Sequence, residues 1–143
     1  MTLAQTQQSE VQALEFDLGA ETFCVEIDHV SEIVDVTELT VVPNAPGHVR
    51  GVMDLRGRTT AIIDPKALLG IADDTTPKRI IIFDPDYRPD HGPTGWVVDE
   101  VRQVVKISLD DVDTNPFQED GVRGIVKREE GLVMWLDPLA VEG

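Results

Sequence analysis

One feature restricts the possible folds of this chain more than any other, an internal repeat running through nearly all of its 143 residues. VEIDHVSEIVDV around Val30 returns as WVVDEVRQVVKI around Val101, with Asp28 matching Asp99 and Val30 matching Val101 at an offset of 71. Val49-Arg50-Gly51-Val52 returns as Val122-Arg123-Gly124-Ile125, and Ile63-Asp64-Pro65 as Leu136-Asp137-Pro138, both at an offset of 73. Upstream, Leu14-Glu15-Phe16-Asp17 pairs with Ile81-Ile82-Phe83-Asp84 at 67, because the loop holding Pro85, Pro89 and Pro93 is longer in the second copy. A unit repeated once, in a chain this short, has to bury its apolar surface against its own copy. The repeat sets copy one at about 13–78 and copy two at about 79–143, behind a flexible lead-in over 1–12.

Within each copy, short aliphatic and β-branched runs are separated by Gly, Pro and Asp, the pattern of strands joined by turns. Copy one predicts strands near Leu14–Leu18, Thr22–Ile27, Glu32–Val36, Val49–Leu55 and Arg58–Ile63. Copy two predicts counterparts near Arg79–Phe83, Gly95–Val98, Gln103–Ile107, Val122–Lys127 and Leu132–Leu136. Asp64-Pro65-Lys66-Ala67-Leu68-Leu69-Gly70 carries an N-cap acid, Pro at the first helical position and Gly beyond the end, so one or two helical turns belong there. Asp137-Pro138-Leu139-Ala140 begins the same way. Five short strands can close into a small barrel, which removes exposed sheet edges. The expected fold is all-β, with two such barrels, pseudo-symmetric and side by side.

Charge then excludes partner classes. Asp and Glu number 27 against 12 Lys and Arg, for a net charge of -15. Nucleic acid and anionic membrane surfaces are recognised by Lys and Arg neutralising phosphates, so neither is an expected partner. The acids form no tail-like block and read as a solvated coat suited to high salt, which points to a halophilic source. An unfolding midpoint that rises steeply between low and molar salt is the expected outcome, since screening relieves self-repulsion. Cys24 is the sole cysteine, which excludes an intramolecular disulfide and suits a reducing, cytoplasmic setting. No apolar run approaches the ~20 residues that span a bilayer, so direct membrane insertion is not expected.

Catalytic machinery does not stand out. His29, His48 and His91 are widely spaced and share no metal-ligand spacing with Cys24. Asp28 and Asp99 each follow an apolar strand, where a turn-forming role accounts for both. Asp73-Asp74 and Asp110-Asp111-Val112-Asp113 lack the ordered oxygen ligands, central Gly and terminal Glu of a calcium loop. Neither glycine-rich phosphate loop is present. Cys24 alternates with apolar Phe23 and Val25 and reads as a small buried thiol. No catalytic residue, metal or cofactor is expected.

From Leu14 to Pro138 the chain resembles the CheW-like family, most plainly in VSEIVDV, VPNAPGHVRGVMDLRGRTTAIIDP and GWVVDEV. The resemblance implies two five-stranded SH3-like barrels and a non-catalytic adaptor that joins the cytoplasmic tip of methyl-accepting chemotaxis receptors to the regulatory domain of the histidine kinase CheA. It places the protein in the cytoplasm, recruited to membrane-bound receptor arrays. The family's recognition positions fall on Val30, Glu32, Gly51 and Arg56, with Val34 and Leu55 beside them. Features common to both copies, such as Arg50/Arg123 and Gly51/Gly124, are explained by folding one barrel twice. Glu32 is replaced by Gln103, and Leu55-Arg56-Gly57-Arg58 meets Arg128-Glu129-Glu130-Gly131, so Glu32 and Arg56 belong to copy one alone and are expected to pair at the surface. Two other readings are a freestanding regulatory domain of a chemotaxis kinase and a small ligand-binding β-barrel; the latter requires a convergent polar pocket.

Overall fold

A computed structural model describes residues 9–87, 92–113 and 121–142. Most of the lead-in, together with Pro89 and His91, lies outside the described residues. In chain order the elements are β1 (Glu10–Leu18), β2 (Glu21–Glu26), β3 (Val30–Asp35), β4 (Val49–Leu55), β5 (Arg58–Ile63), α1 (Pro65–Leu69), β6 (Arg79–Phe83), β7 (Thr94–Val98), β8 (Glu100–Ser108), β9 (Val112–Asp113), β10 (Val122–Arg128), β11 (Gly131–Leu136) and α2 (Pro138–Glu142). The fold is all-β, as the repeat predicts. The first strand starts earlier than expected. Glu10, Val11 and Gln12 pair with Ser108, Ile107 and Lys106, and Val11 packs on a buried cluster, so residues 10–12 are strand and no part of a flexible lead-in. α1 follows its signals closely: the Asp64 carboxylate accepts from the Lys66 N–H, and Gly70 ends the helix at φ 71.

Sheets and sequence copies have different boundaries. One sheet runs β8-β1-β2-β11-β10-β9 and the other β3-β6-β7-β5-β4. Copy one therefore does not close on itself over 13–78. Its first two strands join the last strands of copy two, and β6 and β7 of copy two join β3, β4 and β5. The chain crosses between sheets at a 3-10 turn over Ile27–His29 and again at Asp99, the repeat-related position. Barrel one is thus built from 30–98, and barrel two from 10–26 with 100–136. The exchange has a physical reason, since β1, β2, β6 and β7 carry apolar side chains on both faces. That is the signature of strands with a core on each side.

The register repeats as well. Ser31 and Arg102 are extra residues in β3 and β8, while Arg50 and Arg123 are extra in β4 and β10. A bridge from Thr40 to Val52 and the β9–β10 pairing of Asp113 with Ile125 bring the continuations of β3 and β8 back to β4 and β10, rounding each sheet into a barrel. Gly51 sits at φ +150, and a Cβ there would lie 2.6 Å from the Thr40 carbonyl oxygen, so this closure requires glycine.

Alternation along the strands divides the interior into three cores. Leu14, Phe16 and Leu18 of β1 meet Ile81, Phe83, Trp96 and Val98 between the barrels. Ala13, Cys24, Ile107, Val126 and Trp135 fill barrel two. Ile62, Ile80, Ile82 and Val97 fill barrel one, with Val34, Met53 and Leu55 packed against them. Trp96 is fully buried, edge-on to Phe16 and Phe83, and donates its indole N–H to Glu142 of α2 at 2.8 Å. Burial pushes the Cys24 thiol up to about 12, as does the nearby Glu15 carboxylate, so it is inert packing.

An ion cluster marks the second crossing. Asp99 and Lys66 are both buried, and the Lys66 ammonium contacts Asp99 at 2.9 Å and Asp73 at 2.9 Å while donating to the Thr75 carbonyl. Asp99 also accepts from the Gly19 N–H at 2.6 Å. A turn role is therefore insufficient for Asp99, although Asp28 is exposed and matches it. Burial opposes charge on Lys66, but its two carboxylate partners outweigh it and hold the lysine pKa above the ordinary value. The same ammonium, helped by Thr75, lowers Asp73 from 3.8 to about 2. A depressed carboxylate contributes stability above its unfolded pKa and loses it as pH falls through the folded one. The gap in thermal midpoint between the native chain and Asp73→Asn is expected to be open above about pH 4 and to close toward pH 2. A gap constant over that range contradicts the assignment.

Candidate functional site

The turn between β4 and β5 has two loop residues, Arg56 at φ 53 and Gly57 at φ 82, flanked by the pair Leu55–Arg58. Positive φ at both central positions is the mirror-image turn that fits strand twist, and it holds a non-glycine residue, Arg56, in an uncommon conformation. The Arg56 side chain is exposed and its Nη1 donates to Glu32 Oε2, the pairing expected from sequence. Donating this hydrogen bond to the Glu32 carboxylate raises the guanidinium's pKa, with the carboxylate's charge adding in the same sense. Glu32 is brought there by the extra residue Ser31, which shifts β3 against β6 so that Glu32 stands opposite Ile82.

Beneath the pair is a cavity of about 140 Å³ at the end of barrel one. Leu55, Ile82, Phe83, Pro85 and Pro93 give it an apolar lining, with Glu32 and Arg56 at its edge. The structure thus gathers Glu32, Leu55 and Arg56 of the expected site. Val30 lies elsewhere, against the core between the barrels. Val34 points into barrel one and supports β3 from inside. Gly51 is buried four residues along β4 from Leu55, about 13 Å at strand rise, where it admits the Thr40 segment. Its part is close backbone approach.

Three exposed aliphatic side chains of the strands escaped the sequence reading. Ile33 of β3 and Val104 of β8 are 40% and 50% exposed and are related by the repeat, and Leu132 of β11 is 59% exposed. The first two belong to runs that read as ordinary strand interior; only the finding that β3 and β8 lie at sheet edges sets them apart. Among the described residues no group of three or more His, Cys, Asp or Glu is placed to hold a metal ion. No helix among them is long and apolar enough to cross a membrane.

The family model described as CheW-like domain matches residues 12–142. A chemotaxis protein CheW of Thermotoga maritima is 29% identical over 132 residues, covering 90% of this chain and 85% of that protein. One from Rhizobium meliloti is 32% identical over 124 residues, covering 82% and 78%. Among solved structures, the scaffolding protein TtCheW of Thermoanaerobacter tengcongensis superposes with a TM-score of 0.79 at 26% identity, covering 89% of this chain and 88% of that one. A repeat folded into two strand-exchanged barrels, and a sequence match spanning both of them, place this chain in the CheW-like domain family.

Proposed function

We propose that this protein is a non-catalytic adaptor that couples methyl-accepting chemotaxis receptors to the CheA histidine kinase in the cytoplasm, at receptor arrays. The observation that carries the reading is the Glu32–Arg56 pair poised over an apolar end pocket, on a fold shared along nearly its whole length with proteins named for chemotaxis and scaffolding. The barrel-one end docks the regulatory domain of the kinase, a domain of similar barrel shape. The face carrying Val30, with Ile33 exposed beside it, takes the helical tip of a receptor, since a helix docks through aliphatic anchors within a polar rim. Signal passes by positioning and population shift, with no bond made or broken in this chain.

The test is capture of the kinase regulatory domain and of a receptor cytoplasmic fragment, at low and at high salt. Arg56→Ala is expected to weaken capture of the kinase domain about tenfold through loss of the shaped charge at the rim. Its thermal midpoint is expected to stay within about 2 °C of the native chain, because an exposed ion pair contributes little to folding. Failure of the native chain to capture either partner refutes the adaptor reading. Native affinity in a folded Arg56→Ala chain refutes the assigned rim.

A further inference from the structure

The chain passes between the barrels twice, and the repeat-related crossings are held in different ways. At the second, Asp99 is buried and bonded in several directions. Its backbone N–H donates to the Asp17 carbonyl at 3.1 Å, its carboxylate accepts from the Gly19 N–H at 2.6 Å, and the same carboxylate meets the Lys66 ammonium at 2.9 Å. Asp17 and Gly19 belong to the β1–β2 hairpin of barrel two, and Lys66 to α1, which follows β5 of barrel one. Lys66 extends the tie through Asp73 and the Thr75 carbonyl to the loop before β6. That loop lies directly on the hairpin turn, where a Cβ on Gly19 would come within 3.0 Å of the Asp73 carboxyl carbon. Among the described residues the first crossing has no such cluster. Asp28 is exposed, and Leu139 stands at the Lys66 position. The ties there are the Asp84 N–H donating to the His29 carbonyl and the His29 ring against the exposed Tyr87.

We propose that Asp99 and Lys66 act as an orientation clamp, which fixes the angle between the two barrels at the second crossing and leaves the first crossing as the compliant side of the joint. The apolar core around Trp96 supplies most of the adhesion, but hydrophobic attraction is non-directional and by itself specifies an angle loosely. A satisfied buried polar network has the opposite character. Any rotation that parts Lys66 from Asp99 leaves an ammonium and a carboxylate short of partners in a dry junction, so one arrangement is selected among several of similar apolar burial. Bonds in several directions fix an orientation, whereas a single bond, such as that from the Trp96 indole to Glu142 of α2, serves as a pivot. Hinges are formed by a few residues at element ends that absorb a change in backbone angles, and Ile27–His29 occupy such a place between β2 and β3. A partner that touches both barrels therefore meets them at one set angle.

Spin labels at exposed, repeat-related strand positions read that angle. Thr59→Cys on β5 and Leu132→Cys on β11 place one label on each barrel of the full chain, with the fully buried Cys24 left as it is. Pulsed electron paramagnetic resonance is expected to give a single narrow distribution of distances. Lys66→Met with Asp99→Asn removes both charges and keeps an acceptor for the Gly19 N–H, an exchange that costs less than removing one charge alone. In that chain the inter-barrel distribution is expected to widen at least about twofold, as a released hinge requires. A pair within barrel one, Ile33→Cys with Thr59→Cys, is expected to keep its native width in the same background, which separates rotation of the barrels from general loosening. Asp28→Asn is expected to leave both distributions unchanged. Native inter-barrel width in the folded double variant overturns the inference, and so does widening of the within-barrel pair or an equal response to Asp28→Asn. Should the double variant not fold, Asp99→Asn alone decides: a wider inter-barrel distribution is expected, and native width overturns the clamp.

Discussion

Replacing Trp96 by alanine is expected to lower the thermal unfolding midpoint by about 10–15 °C, equivalent to about 4 kcal/mol in a chain of this size. Trp96 is fully buried at the centre of the core that joins the barrels, edge-on to Phe16 from one sheet and Phe83 from the other. Truncation there removes a large transfer contribution and leaves a cavity that two sheets, each held by its own ladder, cannot both close. Trp96→Phe keeps most of the apolar volume and is expected to cost about half as much. The measurement is denaturant or thermal unfolding followed by far-ultraviolet circular dichroism. A Trp96→Ala chain within about 1 kcal/mol of native removes the inter-barrel core from its assigned role.

Lys66→Met is expected to destabilise the fold by about 3 kcal/mol, or about 10 °C in midpoint. The substitution keeps length and apolar volume, so what it removes is the charge facing Asp99. Asp99 retains the Gly19 N–H but becomes a buried carboxylate without a counter-ion. Breaking a buried pair from one side is costly for that reason, whereas removing both charges is much less so. Lys66→Met combined with Asp99→Asn is therefore expected to recover at least half of the loss, a coupling that unfolding of the four chains of a double-mutant cycle measures. Simple addition of the two single effects contradicts the pairing.

The places where sequence and structure part company share one cause. Strand positions, the capped helix and the Glu32–Arg56 pair all depend on residues close in sequence or on the comparison of one copy with the other, and these were legible. Which sheet a strand joins depends on surface buried far along the chain. The runs Arg-Ile-Ile-Ile-Phe and Thr-Gly-Trp-Val-Val do hint at two buried faces, yet the same runs suit a strand inside its own copy's barrel. Asp99 shows the problem at one residue. It reads as the twin of Asp28, but the exchange sets it against Lys66 of α1, whose own counterpart in the second copy is Leu139. One aspartate gains a cation and is buried, and its twin stays in water. A lone lysine among the apolar positions of a short capped helix was the available signal. The Glu15–Arg128 ion pair was missed similarly, because its two partners are 113 residues apart.

Strand exchange also fixes an order of events during synthesis. Everything needed for barrel one, residues 30–98, leaves the ribosome as one unbroken stretch. The β1–β2 hairpin emerges before it but lines up in parallel with β11, Phe23 beside Met134 and Cys24 beside Trp135. At translation speeds of 5–20 residues per second, the hairpin waits roughly 5–20 s for that neighbour. Meanwhile the matching apolar surface of barrel one is the nearest cover for its Leu14, Phe16 and Leu18 face. The first barrel to be completed thus serves the nascent chain as a built-in holding surface for the oldest part of the second.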